Sequence, residues 1–204
     1  MEEKNDPALN MIKISEGNSQ LKILSVIAEY QVSNQYDNGP RQTDITHKLT
    51  LTKGSVSNNC NELEENGVIF NHEKNYYINK DVVLKTYIEY IENLLTRESS
   101  IEQYDSYINT SNDVRTRVRN NLYDWIGLIE DKLFNIILNI LMDSRKQKSI
   151  LNLREVFEKT NQSIRLLCEV DINLDGQELN IFKKIGVATK VHYKYLSDNY
   201  KGRG

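Results

Sequence analysis

The sequence predicts a mainly α-helical protein with one small β-hairpin: three short helices, the hairpin, and an all-helical remainder. Three observations lead there. Apolar residues recur at spacings of three and four along most of the 204 residues. Short runs rich in β-branched and aromatic residues, Val68-Ile69-Phe70 and Tyr76-Tyr77-Ile78, flank a polar stretch, as in a hairpin. Finally, two prolines and nine glycines with 27% charged residues fit an ordinary globular chain and exclude collagen-like or Pro/Gly-rich disordered classes.

Residues 1–18 are polar and mixed, and read as a flexible N-terminal arm. Helical spacing begins at 19–34, with Ser19 as the expected N-cap and Leu21, Leu24, Ile27 and Ala28 on one face. Asn34 to Pro40 supplies turn chemistry and ends this helix. A second, short helix spans about Thr43–Leu49, with Ile45 and Leu49 inward. Thr52 then caps a third over about Lys53–Asn66, whose inward set is Val56, Cys60 and Leu63. Gly67 suits the left-handed position that closes a helix. Asn71 to Asn75 is the expected hairpin tip.

Beyond the hairpin everything reads as helix. Asp81–Arg97 places Val83, Tyr87, Ile91 and Leu94 on one face, and a shorter helix is expected over Ile101–Ile108. A long helix is expected from about Asp113 to Lys146, with Leu122, Trp125, Ile129, Leu133, Ile136 and Ile140 forming a sustained apolar seam. Two more helices cover about Ile150–Val170 and Gln177–Asn199. The expected division is therefore an arm at 1–18, a three-helix and hairpin module at 19–80, and a helical region at 81–204.

Charge narrows the function. The chain carries 26 Lys+Arg against 29 Asp+Glu, a net charge of −3, so its body is not a basic sleeve for nucleic acid. Any such affinity has to come from a few well-placed cations. Enzymatic readings fail on inventory: His47, His72 and His192 lie far apart, and there is no Cys-x-x-Cys, phosphate-cradling Gly-rich loop or nucleophile elbow. No catalytic residue, metal ligand or cofactor is expected. Two cysteines make no disulfide framework and fit a reducing, cytoplasmic setting. The first residues are acidic and lack an apolar core, unlike a signal peptide, and no apolar run is long enough to span a bilayer.

Helix, helix, helix and hairpin of these lengths make a winged helix-turn-helix, and the stretch Ile45 to Ile69 resembles the core of MarR-type regulators. Four features carry the resemblance. The apolar pair Ile45 and Leu49 ends the second helix, Leu51-Thr52-Lys53 caps the third, Ser55-Val56-Ser57 opens it, and Leu63-Glu64-Glu65-Asn66-Gly67-Val68-Ile69 closes it and enters the wing. Arg41-Gln42 departs from the pattern, standing where the family usually places Ser or Thr. The single wing-tip cation, Lys74, and the helical region after the wing depart from it too.

In a helix-turn-helix the first turns of the third helix enter the major groove. The resemblance thus implies a homodimeric, sequence-specific regulator of transcription that binds double-stranded DNA. Its outward residues there are Lys53, Ser55, Ser57, Asn58 and Asn61. Asn can pair bidentately with adenine, and Ser or Thr bonds base edges or phosphate. Thr52 at the helix N-terminus suits a phosphate, and Gly54 lets a DNA backbone approach closely. Arg41, Thr43, Lys48 and Lys74 are the candidates for phosphate contacts that orient the duplex.

The helical seam is expected to serve as core or dimer interface. A two-fold dimer would present two third helices about 34 Å apart and read a palindrome. The alternative for 81–204 is a bundle that binds a protein partner or a small ligand, with Tyr123, Trp125 and Phe134 as pocket candidates. Arg115, Arg117 and Arg119, and the aromatic and basic stretch His192 to Arg203, are further cation clusters, each equally readable as a solvated helix face. Cys60 reads as a small core residue and not as a redox sensor. The alternatives to a regulator are a winged-helix protein of plasmid or chromosome maintenance, or a docking adaptor. Glu62, Glu64 and Glu65, late in the third helix, favour docking.

Overall fold

The structure is a computed structural model, and it describes residues 18–33, 38–102, 120, 123–124, 126–146 and 152–170. The described elements are mainly helical, with a small two-stranded antiparallel hairpin. In order they are α1 (Asn18–Val32), α2 (Gln42–Leu49), α3 (Lys53–Glu65), β1 (Ile69–His72), β2 (Asn75–Ile78), α4 (Lys80–Glu102), α5 (Glu130–Lys146) and α6 (Leu153–Val170). The expected arm up to residue 17, the expected short helix Ile101–Ile108 beyond residue 102, the start of the expected long helix at 113–119, the expected helix over 177–199 and both distal cation clusters lie outside the described residues.

Residues divide into two compact units. One comprises Met1–Thr86 with Asp131–Glu158, the other Tyr87–Glu130 with Lys159–Gly204. The first unit therefore takes in more than the expected 19–80 module, because residues 131–158 belong to it as well.

Within the first unit α1 is central. Leu24, Ile27 and Ala28 are buried as the spacing predicts, but so are Ile23, Val26 and Ser25. The reason is coverage from several sides, since α2, α3 and β2 all pack on α1. Ser25 meets the cost of burying a hydroxyl by donating to the Lys22 carbonyl at 2.7 Å. Ile45 of α2 and Val56, Cys60 and Leu63 of α3 complete this apolar face, all fully buried. From the later part of the chain, Leu133, Ile137, Leu138, Leu141, Leu153, Val156 and Phe157 are also buried.

Local chemistry sets the helix ends. The Thr52 hydroxyl accepts the Ser55 N–H at 3.2 Å, an N-cap bond. Gly67 has φ 69° and bonds its N–H to the Glu64 carbonyl, closing α3 in the left-handed conformation. At α2 the cap comes from inside the helix. Asp44 reaches back and accepts the Arg41 N–H at 2.8 Å, half of a capping box. Arg41 has no side-chain acceptor, so the other half is missing. Thr50 ends α2 with φ 53° and ψ 31°, left-handed although it is β-branched.

The hairpin pairs Ile69 with Ile78, Phe70 with Tyr77, Asn71 with Tyr76 and His72 with Asn75. Its tip is tighter than the five-residue loop the sequence suggests, holding only Glu73 and Lys74, at φ 51° and 70°. Two positive φ angles make the two-residue turn whose twist matches that of the flanking strands. Asn71 favours it by accepting the Lys74 N–H at 3.0 Å through its side chain. The outer edge of β2 is satisfied as well: Ile78 N–H donates to the Gln31 side chain of α1, and Tyr76 N–H donates to the Pro40 carbonyl, both at 2.9 Å. That approach needs Gly39, where an added Cβ would lie 2.2 Å from the Tyr76 carbonyl oxygen.

The expected unbroken helix from 113 to 146 is corrected. Residues 128–129 form a turn, Ile129 N–H bonds back to the Ile126 carbonyl at 3.0 Å, and α5 starts only at Glu130. Gly127 immediately before the turn is a poor helix former, worth about 1 kcal/mol against Ala. Conversely, the helix expected over 81–97 runs further, to Glu102. In the second unit Tyr87, Ile88, Ile91, Ile126, Ile129 and Ile164 are buried. Tyr87 donates its hydroxyl to the Asn161 side-chain oxygen there, and the Asn161 amide nitrogen is buried with no partner. Among the described residues no helix is long and apolar enough to cross a membrane.

Candidate nucleic-acid interface

The residues singled out for DNA contact fall on the α2–α3 junction, the first turns of α3 and the hairpin tip. Val56, Cys60 and Leu63 bury one side of α3, which turns the opposite side to solvent. Lys53, Gly54, Asn58 and Asn61 are exposed on that side. Ser57 is half-buried at its margin. Ser55 is also half-buried, and its backbone groups help to fix the start of the helix. The N–H bonds Thr52 and the carbonyl accepts the Asn59 amide at 2.8 Å. An added Cβ on Gly54 would meet nothing within 4 Å, so no packing inside the protein requires glycine there.

Arg41, Thr43, Thr52 and Lys74 are exposed. Lys48 is not a free cation. Its ammonium lies 3.0 Å from one Glu29 carboxylate oxygen and 4.8 Å from the centroid of the Tyr30 ring. Arg145 of α5 pairs with the other oxygen of Glu29. Glu29 is thus a hub joining α1, α2 and α5 inside the first unit, and it removes Lys48 from the set of phosphate contacts. The exposed stripe also changes sign along α3: after Asn58 and Asn61 come Glu62, Glu64 and Glu65, all exposed. Only the first two turns are electrostatically suited to a phosphate backbone.

Cys60 is fully buried beneath this surface, and its thiol is pushed up to about 11, mainly by burial and then by the Glu64 carboxylate. A thiol so protected holds its proton at neutral pH and is a poor nucleophile. On the outer face of the hairpin, Phe70 is exposed and stacks on Tyr77 with ring centroids 5.4 Å apart.

Of the expected dimer seam, Leu122 and Trp125 lie outside the described residues. Ile129 and Leu133 are buried within the single chain, and Ile136 and Ile140 are half-buried. Of the pocket candidates, Phe134 is buried and Tyr123 exposed. The Glu29 hub was invisible to sequence reasoning, because Glu29 and Arg145 are 116 residues apart. The Asp44 cap, by contrast, had a signal in the acidic residue three positions after the N-cap, Arg41. No protein-family model, curated protein or solved structure matches the chain.

Proposed function

We propose that α1, α2, α3 and the hairpin act as a winged helix-turn-helix. In this reading the chain binds double-stranded DNA as a homodimer and regulates transcription. The first turns of α3 lie in the major groove, with Asn58 and Asn61 at base edges and Lys53, Arg41 and Thr43 on phosphates. The hairpin is the wing, and Lys74 reaches the backbone beside the groove. One observation carries this reading: a capped, firmly packed helix presents an uncharged polar stripe, Gly54, Ser57, Asn58 and Asn61, that its own fold does not use. Such a stripe suits hydrogen-bond readout of base edges.

The test is selection from random-sequence duplex DNA followed by sedimentation at about 50 mM salt. A dimer retaining a palindromic subset is the expected result. The double variant Lys53→Ala with Asn58→Ala should bind less tightly and lose preference at the base that Asn58 reads, by roughly ten- to a hundredfold for a bidentate pair. Unchanged selectivity in that variant overturns the role of α3.

A second reading, a protein-docking adaptor, is favoured by Glu62, Glu64 and Glu65 on the exposed side of the same helix. Absence of duplex binding at both low and moderate salt would select it.

A further inference from the structure

Three non-glycine residues among those described adopt a positive φ: Thr50, Glu73 and Lys74. Glu73 and Lys74 have a local reason, because the two-residue hairpin loop requires positive φ at both positions. At Thr50 the local reason is the end of a helix, which favours the left-handed conformation but normally selects glycine for it. Thr50 closes α2 at φ 53°, where a glycine would adopt the same conformation without a Cβ penalty. A β-branched residue is among the least suited to this region. Thr50 is exposed, and its hydroxyl has no hydrogen-bond partner among the described residues. Relative to glycine, Thr50 therefore costs the fold stability at this position. A β-branched residue kept where glycine would be unstrained points to a role for the side chain.

We infer that Thr50 is a further DNA-contact residue, whose hydroxyl donates to a phosphate oxygen of the duplex that α3 reads. This rests on the proposed DNA-binding function. The position suits the contact: Thr50 lies in the turn between α2 and α3, three residues before Lys53, and Thr52 in the same turn is exposed too. A donor on a short, stiff side chain loses little rotamer freedom when it bonds. Phosphate contacts of this kind fix the register of a helix in the groove without reading sequence.

The experiment compares Thr50→Gly, Thr50→Ala and Thr50→Ser with the unaltered chain, using the duplex selected above. Urea unfolding supplies the stability readout, and Glu73→Gly serves as the control for strain relief alone. Thr50→Gly is expected to raise the urea midpoint by about 0.5 M while weakening DNA binding by about tenfold, the loss typical of one hydrogen bond to a charged acceptor. Thr50→Ala should weaken binding equally, and Thr50→Ser should restore it to within about twofold, because only the hydroxyl is at issue. Glu73→Gly should raise the midpoint without weakening binding.

Equal affinity of Thr50→Ala and the unaltered chain overturns the inference while leaving the DNA-binding function standing. So does a Thr50→Gly variant that is more stable and binds as well. An unaltered chain that binds no duplex overturns both, and is told apart by that baseline alone.

Discussion

The number of cations free to meet phosphate sets a quantitative expectation for salt dependence. In the α2, α3 and hairpin region the basic residues are Arg41, Lys48, Lys53 and Lys74. Lys48 is held by Glu29 and Tyr30, which leaves Arg41, Lys53 and Lys74. Each neutralised phosphate contributes about −0.9 to the slope of log K against log salt on duplex DNA. Three contacts then give a slope of about −2.7 for one copy and about −5.4 for a dimer. Raising salt from about 50 to 200 mM should weaken binding roughly 40-fold for one copy and roughly 2,000-fold for a dimer. Removing two cations per copy, with Lys53→Ala and Lys74→Ala, should shallow the dimer slope by about 3.6. Fluorescence anisotropy with a labelled duplex across that salt range measures both slopes. A slope unchanged in the double variant refutes the placement of these cations on DNA. A slope much steeper than −5.4 in the unaltered chain would put the dominant contacts on other parts of the molecule.

Three further outcomes follow from the geometry. Glu29→Gln removes both ion pairs of the hub and leaves Arg145, whose Nε is already buried without a partner, uncompensated. The three side chains are each about a fifth exposed, so the cost should be about 1–3 kcal/mol in urea unfolding, below that of a fully buried pair; a loss under a few tenths would show that the hub is idle. Gly39→Ala should cost about 1–3 kcal/mol and speed hydrogen exchange at the Tyr76 amide, because the new Cβ would overlap the Tyr76 carbonyl; unchanged exchange would refute the close approach. In a Cys168→Ser background, alkylation of Cys60 at pH 8 should run at least about 100-fold slower than for a free thiol, from the thiolate fraction alone. Because folding raises this thiol from 9.0 to about 11, its contribution to stability is full below pH 9 and is lost as pH rises through 11. A plateau of the alkylation rate near pH 9 would refute the burial.

What could be read from the sequence was what neighbouring residues decide among themselves. Thr52 capping α3, Gly67 closing it, and the inward set Val56, Cys60 and Leu63 depend on contacts within one or two turns, and each stands as the spacing predicts. The break before Glu130 was missed for a related reason. A strong apolar period continues through Ile126, Ile129 and Leu133, and periodicity registers which side chains are buried, not whether the backbone between them stays helical. Gly127 was the only local warning, and its cost of about 1 kcal/mol is one that tertiary packing overrides in either direction.

The candidate interface shows the same divide in its chemistry. The polar stripe of α3 was legible, because helical spacing alone assigns Asn58 and Asn61 to the side opposite Cys60. Its charge was not. Lys48 stands among the exposed-looking residues of α2, and only the pairing with Glu29, itself shared with Arg145 of α5, 116 residues further along the chain, withdraws it. Under the proposed function, a surface with three exposed cations per copy would bind DNA weakly at moderate salt, and two copies on one duplex would double the number of phosphate contacts. The salt slope is therefore the sharpest discriminator: it counts contacts, and the difference between about −2.7 and −5.4 counts copies.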